Sequence, residues 1–229
     1  VELQPEDWTA ILLSLKVATV AVCLSLPLGL LAAWLLVRRD FPGKTLLNGL
    51  IHLPLILPPV VTGYLLLLSF GRRGPVGAVL ESAFGLVFSF RWTGAALAAG
   101  VMGFPLMVRA MRLSLEAVDR KLEAAAASLG APPVSVFLTV TLPLMLPGIV
   151  AGAILAFAKA LGEFGATITF VSNIPGETQT LAALIYTYTQ VPEGDGPALR
   201  LTLVSIAISL AALAASELLS RRMAERMAA

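Results

Sequence analysis

Five long apolar stretches organise the chain: residues 8–37, 46–70, 93–108, 144–171 and 201–219. A bilayer's hydrocarbon core is about 30 Å thick and takes about 20 helical residues to cross, so each stretch reads as a membrane span. No water reaches backbone amides in that layer, and a helix satisfies them internally. Only 13% of the 229 residues are charged, about half of the roughly 25% in a soluble domain, and the mean hydropathy is +0.89. The expected fold is all-α, a polytopic helical bundle in which residues 1–229 form one transmembrane domain with five spans. A sixth span would arise if residues 77–90 crossed. That segment is short and holds Glu81, so a helix lying on the outer surface is expected there. The first stretch follows Glu2, Glu6 and Asp7 instead of a basic region and exceeds a signal peptide's apolar core, so it is expected to stay in the mature chain.

Orientation follows from Lys and Arg, which concentrate in cytoplasmic loops. With the N-terminus outside and the C-terminus in the cytoplasm, Arg38, Arg39, Lys44, Arg109, Arg112, Arg120, Lys121, Arg221, Arg222 and Arg226 lie inside, ten of the sixteen basic residues. Arg72, Arg73, Arg91 and Arg200 lie outside, and Lys16 and Lys159 fall within spans. Lys16 is expected to snorkel to the outer interface, and Trp8, Trp34 and Trp92 near span ends read as interface anchors. No basic cluster exceeds two residues, so a nucleic-acid partner is not expected. One cysteine, Cys23, and one histidine, His52, give neither a disulfide framework nor a Cys/His metal cluster.

The spans carry their own punctuation. Pro54, Pro58 and Pro59 lie in the second stretch, where they remove backbone donors, and the Pro58–Pro59 pair predicts a bent pore helix. The fourth stretch holds Gly148 and Gly152, a spacing suited to close helix packing, then Gly162 and Gly165 flanking Glu163, which predict a hinge. Lys159 and Glu163 are four residues apart and share a helix face. An ionisable residue within a span is a functional candidate. Two readings stay open for this pair: a structural ion pair, or a gate.

The inner connection, residues 113–141, predicts a short helix outside the bilayer. Asp119 is an N-cap, a run of alanines follows, and Gly130 is a stop. Leu122, Ala125, Ala126 and Leu129 make one mildly apolar face, Pro132–Pro133 opens a second short helix through Val136 and Phe137, and Leu142–Pro143 leads into the fourth span. Such a helix is a connector, or a docking element for a partner's groove. On the outer side, Asn173-Ile174-Pro175-Gly176 forms a turn and residues 180–188 a short helix at the mouth. No catalytic constellation is present: Pro42-Gly43-Lys44-Thr45 mimics the tail of a phosphate loop, but Arg38 stands where that loop needs glycine. Neither a Gly-x-Ser-x-Gly elbow nor a His-Glu-x-x-His helix occurs.

Several of these segments resemble a known family. The spacing from Ala124-Ala125-Ala126 to Gly130, and on to Leu142–Pro143, resembles the coupling loop of ABC importer permeases, with Glu123 one residue before the family's acidic position. The run from Leu161 through Gly162, Glu163, Phe164 and Gly165 to Asn173 and Thr180 resembles molybdate permeases and, less closely, sulfate permeases. His52-Leu-Pro-Leu-Ile-Leu-Pro-Pro-Val-Val resembles the second-span motif of the same group. The resemblance implies the type I ABC importer permease fold and a homodimer in the cytoplasmic inner membrane. It also implies two cytoplasmic ATP-binding subunits that use the ATP, this chain holding no cofactor, and an extracytoplasmic molybdate-binding protein. Molybdate is the expected cargo, with sulfate and tungstate as alternatives. A fixed cation would trap a dianion, and conduction needs weak sites. The path or gate is therefore expected at Pro58, Pro59, Lys159, Glu163, Gly165, Thr167, Thr169, Ser172 and Asn173, the last four offering neutral donors. An ion-coupled secondary transporter is the alternative from another class. It would show internal repeats and midplane acids, whereas no repeat is evident and Glu163 is the one clearly intramembrane acid.

Overall fold

The computed structural model describes residues 3–228, with the side chains of 216 and 220–228 outside the description. The inward placing of Arg221, Arg222 and Arg226 therefore lies outside the described residues. Eleven α-helices and no strand occur among the described residues. Among the same residues four helical segments are long and apolar enough to cross a membrane, or five when a bent pair is counted as one span.

Helix α1, Pro5–Arg38, starts where the Asp7 carboxylate accepts the Gln4 amide at 2.9 Å, with proline at N1, and ends on a basic residue. Then come α2, Lys44–Ile56, and α3, Pro59–Phe70, turned by 118° relative to each other. The cause is local. A proline drives the residue before it out of the α region, so Leu57 and Pro58 are both extended, with ψ of 144° and 135°. The second stretch is thus two helices. Asn48 of α2 accepts a bond from Arg112 near the end of helix α5, Trp92–Glu116, while Phe70 meets Phe88 edge-on just before α5 begins. The broken pair therefore touches both ends of α5. Between them α4, Pro75–Phe84, is the short apolar helix expected at 77–90, closed by Gly85 at φ 65°.

At the centre stands α5, longer than the 93–108 expected because its apolar face continues through Met111 and Leu115, both fully buried. Helix α6, Arg120–Ser128, and the short α7, Pro133–Val136, follow. A π turn, Phe137–Thr141, runs on into α8, Leu142–Leu161. Small residues bring α8 against α5: a Cβ on Gly152 would stand 2.9 Å from the Met107 carbonyl, and one on Gly148 would strike Ser114. These glycines pack helices of one chain. The fourth stretch also breaks, since α8 stops at Leu161 and α9, Gly165–Val171, is separate. Helix α10, Leu181–Thr189, packs Leu181 and Leu184 on Ala10, Ile11 and Leu201. Last comes α11, Asp195–Ala228, whose described apolar side chains, up to residue 219, point mostly outward.

Candidate functional site

The two helix breaks meet. Gly165, first residue of α9, faces Pro59, first residue of α3, so closely that a Cβ on the glycine would be 2.8 Å from the proline Cβ. Gly63, one turn along α3, lies against the backbone of Ala166. Sequence placed Pro58 and Pro59 on the second stretch and Gly165 on the fourth, and the fold brings the two breaks together.

Glu163 fills the gap between α8 and α9. Its side chain is 1% exposed; Oε2 lies 3.1 Å from Lys159 Nζ, and Oε1 accepts the Ala166 N–H at 2.9 Å. A broken helix exposes a negative C-terminal end and a positive N-terminal end. Lys159 sits in the last turn of α8 and Glu163 at the start of α9, so each charge opposes the dipole of the end it occupies. The pair neutralises itself and both helix ends. The position an anion would take at the start of α9 is held by the protein's own carboxylate.

The neutral donors differ in their availability. Thr167 is buried, its hydroxyl donating to the Phe164 carbonyl at 2.9 Å, and Thr169, half-buried, donates to Gly165 O at 2.9 Å. Ser172 is exposed and ends α9 at φ 66° and ψ −163°, a region that favours glycine. Asn173 Nδ2 donates to Thr187 Oγ1 of α10 at 2.9 Å. Pro58 and Pro59 are exposed. Away from these residues, an apolar groove of about 720 Å³ is walled by Leu24, Leu28, Leu50, Trp92 and Phe104. Its surface suits acyl chains better than a dianion.

At one end of the bundle stands α6. Asp119 Oδ1 accepts the Lys121 N–H at 2.9 Å, and Gly130, at φ 87°, turns the chain so that Ala131 N–H reaches Ala126 O. No residue of α6 is buried; Ala124 and Ala125 are exposed, Ala126 is half-buried, and Leu129 just beyond the helix is 90% exposed. Leu142 and Pro143 open α8. Glu123 points back to the bundle, where Oε1 accepts from Arg38 Nη2 at 2.9 Å and from Thr141 Oγ1 at 2.7 Å. Sequence reading missed both partners, 85 and 18 residues away. Arg38 carried only the signal of a charge ending a span.

The opposite end is tied by α10. Tyr188 donates its hydroxyl to Asp7 Oδ1 at 3.0 Å, and the Leu181 N–H donates to Ser14 Oγ at 2.6 Å. Burial, reinforced by the Asp7 carboxylate, pushes the Tyr188 hydroxyl up to about 12. Deeper in, Lys16 Nζ lies 3.7 Å over the Trp92 ring, a cation–π contact that uses both the basic residue and the aromatic anchor.

Residues 25–225 match the family described as binding-protein-dependent transport system inner membrane component. The chain is 60% identical to the molybdenum transport system permease protein ModB of Escherichia coli over 220 residues, covering 96% of each. It is 55% identical to the ModB protein of Haemophilus influenzae, again covering 96% of both. Among solved structures, a bacterial ABC transporter involved in the import of alginate shares the fold, with a TM-score of 0.75 at 16% identity over 96% of this chain and 80% of that one. By sequence over most of its length and by fold, the chain belongs to the binding-protein-dependent transport inner membrane family.

Proposed function

We propose that the chain is the membrane-spanning subunit of an ATP-driven importer that moves molybdate into the cytoplasm. The observation that carries this reading is α6, a short helix with no buried residue, held by its polar side to the ends of two spans. A free apolar edge at Leu122 and Leu129 suits insertion into a partner's groove. No phosphate-binding loop lies in the sequence, so in this reading two cytoplasmic subunits bind and hydrolyse ATP. This chain binds no cofactor and performs no catalysis. Identity of 60% to a molybdenum permease supports molybdate as cargo. High-affinity selection then belongs to an extracytoplasmic molybdate-binding protein.

Two copies would enclose the path, with the paired breaks at Pro59 and Gly165 as its moving part. Ser172 offers an exposed hydroxyl donor, that of Thr169 being turned to Gly165 O, while Lys159 and Glu163 neutralise each other, so the lining presents no fixed cation to hold a dianion. Orientation is supported by charge: Arg38, Arg39, Lys44, Arg112, Arg120 and Lys121 all belong to the α6 end, which is assigned to the cytoplasm. The N-terminus of α1 would then be outside.

The test is reconstitution into vesicles with the ATPase and binding protein, followed by uptake of labelled molybdate, tungstate and sulfate. ATP-dependent molybdate uptake is expected. Uptake by the chain alone, or without ATP, overturns the reading, and a preference for sulfate reassigns the cargo.

A further inference from the structure

We propose that Glu123 is a positioning residue that couples α6 to transmembrane helices α1 and α8, through one carboxylate oxygen shared by Arg38 and Thr141. This rests on the reading of α6 as the dock for the ATPase and adds the means by which docking motion enters the bundle.

Helix α6 contributes nothing buried to the protein, so apolar packing does not hold it. Its links to the spans are polar. Glu123 Oε1 takes the Arg38 guanidinium at 2.9 Å and the Thr141 hydroxyl at 2.7 Å. A weaker bond of 3.4 Å runs from Arg120 Nη2 to Val37 O. The Arg38 and Glu123 side chains are only 12% and 22% exposed, so water screens the pair less than it would an open surface ion pair. Dipoles favour the same geometry: Arg38 is the last residue of α1, and Glu123 lies in the first turn of α6.

The far ends of these bonds are well placed to carry movement. Arg38 terminates α1. Thr141, 2% exposed, is the last residue of the π turn that feeds α8, and such turns are places where a helix can change register. Buried residues of α1, α5 and α8, including Ala33, Met107, Met111, Met145 and Ile149, share one core cluster. A pull at α6 therefore reaches both helices that flank α5.

The experiment uses the full complex in vesicles and reads two quantities: ATPase co-purification, and ATP hydrolysed per ion imported. Glu123→Gln keeps an acceptor for Thr141 but loses the charge for Arg38, and Thr141→Val removes the other bond with little change of shape. Both are expected to insert and to hold the ATPase at the wild-type ratio. ATP use per ion should rise about tenfold for Glu123→Gln, the scale of an allosteric coupling, and by less for Thr141→Val. Arg38→Lys, which keeps a point charge, should preserve coupling better than Arg38→Gln. An unchanged ratio in both Glu123→Gln and Thr141→Val overturns the proposal. So does loss of ATPase binding by Glu123→Gln, which would place the carboxylate in the interface itself. Failure of both variants to insert assigns the group to folding and likewise overturns it. If the wild-type complex shows no ATP-driven uptake, the importer reading falls first and takes this one with it.

Discussion

Gly165 rests on Pro59, leaving no room for a methyl group between them. The contact joins the N-terminal residues of two short helices, each created by a break in a span. Gly162, three residues earlier, has φ of −90° and nothing but carbonyl oxygens at 3.9 and 4.0 Å around an added Cβ. Gly165→Ala should therefore force the rigid proline ring aside, at about 1–3 kcal/mol for overpacking, and cut uptake sharply. Gly162→Ala should leave uptake near wild type. Equal effects of the two in the reconstituted assay would contradict the assignment of the constraint to the Pro59 contact.

The Lys159–Glu163 pair makes an ordered prediction. Glu163 is almost wholly enclosed and Lys159 is 32% exposed, so the lysine reaches the surface of the chain and the carboxylate does not. Lys159→Met strands a buried carboxylate, held only by its bond to the Ala166 amide, and should cost about 3 kcal/mol. Glu163→Gln should cost less, because its amide oxygen still accepts the Ala166 N–H. The double variant should recover part of the loss. Thermal unfolding of the detergent-solubilised protein reads this order directly.

Leu129 and Ala125 test the docking face separately from the fold. Both are exposed, so Leu129→Glu and Ala125→Glu should leave the chain's own stability within about 0.5 kcal/mol. Each should nonetheless abolish co-purification with the ATPase. Retained binding in both would move the dock elsewhere.

Tyr188 gives a pH dependence at the opposite end. Its hydroxyl titrates at about 12 in the folded chain, above its ordinary value of 10.0, so the folded state holds the proton more tightly. The resulting stabilisation is complete below pH 10.0 and disappears as pH rises through about 12. Phenolate absorbance should show one late-titrating tyrosine that Tyr188→Phe removes. Ordinary titration of Tyr188 would mean that neither its burial nor the bond to Asp7 holds in the folded chain.

Local signals in the sequence carried much of this architecture. Pro58–Pro59 announced a break because each proline acts on its own neighbour, and Asp119 and Gly130 bounded α6 because capping is a matter of a few residues. The break before Gly165 was partly hidden. Gly-Glu-Phe-Gly interrupts the apolar run too briefly to split it, and the hinge expected there is a stop and a restart sealed by Glu163. Least legible were contacts made by distant residues, such as Arg38 with Glu123 and Tyr188 with Asp7. Neither periodicity nor composition records which ends of which helices a fold will bring together. Thr167 illustrates the same limit: its hydroxyl is turned to the backbone, a choice set by the local helix start.

Helices secured only by polar bonds at their rim open far more often than those packed in a core. Arg120 and Lys121 lie exposed at the start of α6, offering bonds that trypsin-like proteases cut. An unaccompanied copy should thus be nicked there first, and a bound ATPase should act as its shield. Survival of the permease in the membrane would then report whether it had found its motor, a form of quality control written into about two and a half unpacked turns of helix.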